Sequence, residues 1–192
     1  NQAIADDEDE DQLEIQIDSL GLQIIVRFQP VATDLRMVIG AMKTATNLER
    51  ISDQAVSIAK RSRKMLKNEE VPEVSRIEGL YQVAAGMLAD SITAYSDSDI
   101  DLALTVVERE KTLKKTHKTT SRFFSGKLET QTGHYRDYLD LVLICRWLDR
   151  VGNLATNIAE DVIFETTSAD IRHGGELPPE LLEGNNKPET SD

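Results

Sequence analysis

The sequence predicts an all-α protein, and three features indicate this class. Apolar residues recur every three or four positions over long stretches, as they do on one face of an α-helix. Glycine and proline are scarce between Pro30 and Pro178, and no stretch shows the alternation of a β-strand. A pattern from the first half of the chain returns in the second half, which indicates two similar helical units. With 192 residues, 40% of them apolar, the chain can fill one or two domain cores.

Turn residues separate the predicted helices. Pro30 suits the first turn of a helix because its φ is already helical and its missing N–H is not needed there. It therefore ends the first helix and begins the second, and residues 96–99 supply a turn with N-cap oxygens. The predicted helices cover residues 11–28, 30–67, 73–95, 100–124 and 135–167, and residues 68–72, 125–126 and 130–133 are predicted loops.

Each of the first two predicted helices carries an apolar stripe and an acidic pair. The stripe of the first helix is Leu13, Ile17, Leu20, Ile24 and Phe28, and that of the second runs from Leu35 through Leu48 to Ile58.

The acidic pairs are Glu14 with Asp18 and Glu49 with Asp53, each four residues apart and therefore on one helix face. If the two helices form a tight antiparallel pair, all four carboxylates come to similar heights and repel one another unless a cation lies between them. All-oxygen ligands suit Mg, Ca, Mn or Fe, and Zn less well. Such pairs are also common on solvated helix faces, where they form ion pairs with residues such as Arg50.

Composition excludes several classes of function. The formal charge of −12 makes binding to nucleic acid or to anionic lipid unfavourable. No apolar segment is long enough to span a bilayer. The single cysteine, Cys145, follows an apolar run and is predicted to be a buried thiol, which suits a reducing cytoplasm. None of the three histidines lies three residues after a glutamate, so a ferritin-like di-iron oxidase is disfavoured.

Two motifs resemble the signature of the PhoU family of phosphate-uptake regulators. The motif at residues 29–36, Gln-Pro-Val-Ala-Thr-Asp-Leu-Arg, leads in one helix to residues 47–53, Asn-Leu-Glu-Arg-Ile-Ser-Asp. About a hundred residues later, residues 147–153 repeat the second part as Trp-Leu-Asp-Arg-Val-Gly-Asn. In this copy, Asp149 and Asn153 replace the usual Glu and Asp.

The resemblance, which covers about residues 5–165, implies two antiparallel three-helix bundles in tandem. The first corresponds to residues 1–68, where the opening helix of the bundle is missing from the pattern, and the second to residues 72–170. Residues 171–192 contain Gly174-Gly175 and several prolines, so we expect a flexible tail there.

In PhoU-type proteins, paired acidic motifs from adjacent helices bind metal ions, including multinuclear clusters. The resemblance therefore implies a divalent or trivalent metal cofactor, Fe, Mn, Mg or Zn, in a first site made of Glu14, Asp18, Glu49 and Asp53.

A second metal site, with Asp149 and Asn153, is implied but damaged. An offset of one hundred residues aligns Glu14 and Asp18 with Lys114 and Lys118, which repel a metal and can instead bind Asp149. An offset of 103 gives His117 and Ser121. Neither register restores four carboxylates, so we predict one competent site and one weak or empty site.

The function that the resemblance implies is negative regulation of phosphate uptake and of phosphate-starvation signalling, without enzymatic activity. The partners would be the ATPase of a phosphate ABC transporter and its sensor histidine kinase, which would hold a cytoplasmic protein at the inner membrane. The resemblance does not decide whether the chain also forms a homodimer. Two alternatives remain: a PhoU-like regulatory domain of a sodium–phosphate cotransporter, and a metal-dependent enzyme that uses the carboxylate cluster.

Overall fold

Long helices make up most of the computed structural model, which describes residues 7–68, 71–130 and 132–172. No β-strand occurs among these residues, so the predicted all-α class is confirmed. Most of the predicted tail, residues 173–192, lies outside the described residues. The helices are α1 (Asp7–Phe28), α2 (Ala32–Met65), α3 (Glu78–Asp97), α4 (Ile100–Thr130) and α5 (Tyr135–Thr167), with 3-10 turns at Val74–Ile77 and Thr132–His134.

Helix α5 lies at the centre of the molecule and packs against α2, α3 and α4. Its apolar residues recur at helical spacing over almost its whole length, and most of them are buried. Cys145 belongs to this core, which confirms the predicted buried thiol, and burial raises the pKa of that thiol to about 12. Gly152 allows α4 to approach closely, since a Cβ at this position would clash with the side chain of Leu113.

Helices α2 and α5 run antiparallel. Near the start of α2, Arg36 Nε donates a hydrogen bond to the backbone oxygen of Glu165 near the end of α5, at 3.2 Å. Near the end of α2, Arg61 Nη1 lies 2.7 Å from Asp140 Oδ1 near the start of α5. Ile51 of α2 also belongs to the apolar core formed by α3, α4 and α5. The two units predicted from the repeat therefore share a core.

Helix α1 packs against α2 around Gly21, and this contact covers only part of the predicted stripe. Gly21 is buried against Met42, whose Sδ lies only 2.5 Å from the position that a Cβ of residue 21 would take. Because this glycine allows the two helices to approach closely, the neighbouring positions face α2. Three stripe residues, Leu13, Ile17 and Leu20, remain 55%, 36% and 57% exposed.

Two predicted boundaries also differ from the structure. Helix α4 continues through the predicted loop at residues 125–126, and contacts beyond Gly126 offset the cost of about 1 kcal/mol for a glycine within a helix. One such contact is the ion pair between Lys127 Nζ and Glu73 Oε1, at 2.6 Å. Pro30 does not begin α2 but lies in the connection before it, and α2 begins at Ala32. Gln29, before the proline, and Ala32 both have a φ of 49°.

Among the described helices, none combines the length and the apolar character needed to cross a bilayer.

Candidate functional site

The α1–α2 pair brings acidic side chains together around Glu49. Burial raises the pKa of the Glu49 carboxyl above its ordinary value, and the negative charges of Asp53, Glu14 and Asp11 raise it further. Arg50 opposes this shift. Three of the four predicted ligands therefore share one electrostatic environment.

Asp11, a carboxylate that the sequence prediction did not include, also contributes to this environment. Gly21 sits against Met42, and this contact sets the register of the two helices. Glu14 then lies near the level of Glu49, while Asp18 lies one turn closer to the connection. The sequence signal that we missed is Gly21, because a glycine within an amphipathic helix often indicates a close helix approach.

The carboxylates converge without forming a closed chelate. Within the described residues, no three Asp, Glu, His or Cys side chains are arranged to hold one metal ion. Glu14 and Glu49 line a groove of about 690 Å³ between α1, α2 and α3, together with apolar residues such as Leu88 and Ile92. This arrangement concentrates negative charge beside an apolar groove, so it attracts cations.

The second predicted site, on α5, has a different chemistry. Asn153 Nδ2 donates a hydrogen bond to Asp149 Oδ2 at 3.2 Å. Nδ1 of His117, on α4, lies 3.5 Å from Asp149 Oδ1, a buried oxygen that receives no hydrogen bond from a described residue. Lys114 forms an ion pair with Glu110 at 2.7 Å instead of with Asp149. The structure therefore matches the offset of 103, which places His117 opposite Asp149.

A cleft of about 1000 Å³ opens beside Asn153, between α2, α4 and α5. Sequence reasoning missed this cleft because its residues come from three helices and from the segment after α5, and only their packing brings them together. Its polar lining mixes cations, carboxylates and amides, whereas Leu104, Val107 and Ile171 provide an apolar wall. The charged and amide residues are Lys43, Arg50, Lys111, Lys114, Arg172, Glu108, Glu110, Glu160, Asp161, Asn47, Asn153 and Asn157.

Comparison with known proteins identifies relatives over most of the chain. The PhoU homologue of Pseudomonas putida, named a phosphate-specific transport system accessory protein, is 33% identical over 170 residues. The match covers 88% of this chain and 66% of that relative, so the chain spans just under two thirds of the relative's length. A homologue of the same name from Pseudomonas aeruginosa is 34% identical over 173 residues, covering 88% of this chain and 70% of the relative.

The fold comparison gives the same result. The crystal structure of PhoU from Pseudomonas aeruginosa matches with a TM-score of 0.84 and 30% identity, covering 87% of this chain and 80% of that one. The PhoU domain family model matches residues 1–62 and 77–162, which include both repeated motifs. The chain therefore belongs to the PhoU family.

Proposed function

We propose that this chain is a negative regulator of phosphate uptake and of phosphate-starvation signalling. It acts by contact with the ATPase of a phosphate ABC transporter and with the associated sensor histidine kinase, on the cytoplasmic side of the membrane. The observation that carries this proposal is the match to the PhoU domain over both repeated motifs. The names of the relatives, accessory proteins of a phosphate-specific transport system, support it.

The surface chemistry supports a role in protein contact. Helix α1 exposes large apolar residues along much of its length, including Ile15, Leu22 and Val26. Contiguous exposed apolar residues of this kind are typical of surfaces that bind another protein. An accessory role of this type requires no catalytic step by the chain itself.

A complementation experiment tests this function. We expect the chain, expressed in Pseudomonas aeruginosa that lacks its own PhoU, to restore repression of alkaline phosphatase in phosphate-rich medium. The matched control is Leu80→Asp, which places a carboxylate at a fully buried core position and should abolish folding and repression together. Alkaline phosphatase that stays fully derepressed, although the folded chain is present, would contradict the proposal.

We further propose that Glu14, Glu49 and Asp53, with Asp11, hold the metal ion that the family resemblance implies once their side chains rotate toward one another, since they form no closed metal site in this structure. The convergence of their charges around Glu49 supports this, because a bound cation would relieve the repulsion. When bound, Fe, Mn, Mg or Zn would supply a fixed positive charge that joins α1 to α2.

Calorimetric titration with Mn²⁺ tests this assignment. We expect Glu49→Gln to weaken binding by about tenfold or more, since it removes a charged oxygen ligand. We expect Asp11→Asn to weaken binding more than Asp18→Asn, because the charge of Asp11 contributes to the raised pKa of Glu49. Unchanged stoichiometry and affinity in Glu49→Gln would count against this site.

A further inference from the structure

We propose that the cleft between α2, α4 and α5 binds a small anion that carries a phosphoryl group, beside the position at which the family resemblance implies a second metal ion. This inference rests on the proposed regulatory function for its biological meaning, because such a site would allow the regulator to respond to a phosphate compound. Its chemical basis is independent of that function.

The residues of the second site do not fit a metal ion. Asp149 is the one carboxylate of the repeated motif, and Asn153 contributes an amide that donates a hydrogen bond to it. From α4, His117 faces Asp149, with its Nδ1 atom 3.5 Å from Asp149 Oδ1, where the resemblance implies acidic ligands. Hard cations require several anionic oxygen ligands, and no third carboxylate, histidine or cysteine among the described residues completes the set.

Two of the cations that line the cleft form no ion pair with a described residue. Arg50 and Lys111 line it from opposite sides, one on α2 and the other on α4, and neither forms an ion pair with a described residue. In contrast, the carboxylates of Asp161 and Glu110 are already engaged by Lys43 and Lys114, at 3.0 and 2.7 Å. An anion can therefore gain charge-assisted hydrogen bonds from Arg50 and Lys111 without breaking either ion pair.

The amide of Asn47 also lines the cleft. Asn47 is only 7% exposed as a residue, and its side chain forms no hydrogen bond with a described residue. Because Asn47 lies one turn of α2 from Lys43 and three residues from Arg50, a ligand held by Arg50 is within reach of its amide.

The size and remaining lining favour a ligand larger than a single phosphate. The volume of about 1000 Å³ is at the upper end for small-molecule sites, which span roughly 300–1000 Å³. Leu104 and Val107 provide an apolar wall, and Glu108 offers a carboxylate acceptor. A nucleotide combines a phosphoryl group, hydroxyl donors and an apolar face, so it matches all three features, whereas inorganic phosphate uses only the cationic part.

Binding measurements on the full chain test this inference. We expect calorimetric titration to detect either AMP or inorganic phosphate, with sulfate binding more weakly. Lys111→Gln and Arg50→Gln should each weaken binding by about tenfold, the usual effect of losing one charged hydrogen bond. The matched control is Lys115→Gln, which removes an equally exposed lysine one turn away on α4 but outside the cleft. Circular dichroism confirms that each variant is folded.

Three outcomes would overturn the inference: neither AMP nor phosphate binds, Lys115→Gln weakens binding as much as Lys111→Gln, or Mn²⁺ binds in a manner that is lost in Asp149→Asn but kept in Glu49→Gln. The last result would place a metal in the second site. A chain that represses alkaline phosphatase but binds neither anion keeps the proposed function and loses this inference. A chain that binds the anion through Lys111 but does not repress alkaline phosphatase keeps this inference and loses the proposed function.

Discussion

At the scale of single residues, Glu165 is the acidic group whose protonation most directly affects the packing of α2 on α5. Its Oε1 atom is buried, receives no hydrogen bond from a described residue, and occupies the space left open by Gly40. Burial, followed by the charge of Asp161, raises the pKa of this carboxyl to about 7, and Lys43 opposes the shift. Tyr95 of α3 also lies within its electrostatic influence, since Glu165 contributes to the raised pKa of that phenol.

This raised pKa predicts a pH-dependent stability. The folded state retains a proton that the unfolded chain releases near pH 4.5, so the stability that Glu165 contributes decreases as pH rises from there through about 7. We expect Glu165→Gln, which is neutral at all pH values, to be more stable than the wild type at pH 8. The gain should be about 1 kcal/mol after allowing for solvent screening, and should disappear at pH 4.5.

Urea unfolding of both proteins at these two pH values measures the difference. Glu129→Gln, on the exposed end of α4, is the matched control and should change the stability by less than about 0.5 kcal/mol. If the stability difference between wild type and Glu165→Gln is the same at pH 4.5 and pH 8, the protonated carboxyl has no role in the packing.

At the scale of helices, apolar periodicity was sufficient to predict how many long helices form and roughly where they lie. It failed where tertiary contacts decide the outcome. The end of α4 depends on the ion pair of Lys127 with Glu73, a residue far away in sequence, so local propensity at Gly126 could not reveal it. Similarly, the face that α1 turns toward α2 depends on the close approach at Gly21.

In the candidate sites too, local helix geometry predicted some residues, and contacts between helices decided the residues that were missed. The spacing of Glu49 and Asp53 within one helix predicted their shared face, because helix geometry alone fixes it. The contribution of Asp11 depends on the register between two helices, which the left-handed backbone at Gln29 and Ala32 helps to set. The cleft lined by Asn47 requires three helices to meet, so no local pattern predicts it.

At the scale of the whole molecule, the α2–α5 contact joins the two units that the internal repeat indicates. Asp140 of α5 is only 2% exposed and forms ion pairs with Arg61 and Lys64 of α2, at 2.7 and 3.2 Å. The Arg61 guanidinium also lies 6.0 Å from the ring centre of Trp147, the single tryptophan. Tryptophan fluorescence therefore reports on this contact, whereas far-UV circular dichroism reports on all the helices.

We expect the chain to unfold in urea as one cooperative unit, with coincident transitions by fluorescence and circular dichroism. Asp140→Asn should lower the free energy of unfolding by about 2 kcal/mol in both signals, because it removes a buried charge that binds two cations. The matched control, Asp97→Asn at the exposed end of α3, should change stability by less than about 0.5 kcal/mol.

If residues 1–68 and 72–170 instead behaved as independent domains, circular dichroism would show two transitions, and Asp140→Asn would shift only the one that Trp147 follows. Since Ile51 of α2 lies in the same core as Leu148 of α5, separate unfolding would expose apolar surface on both units, and this cost favours a single transition.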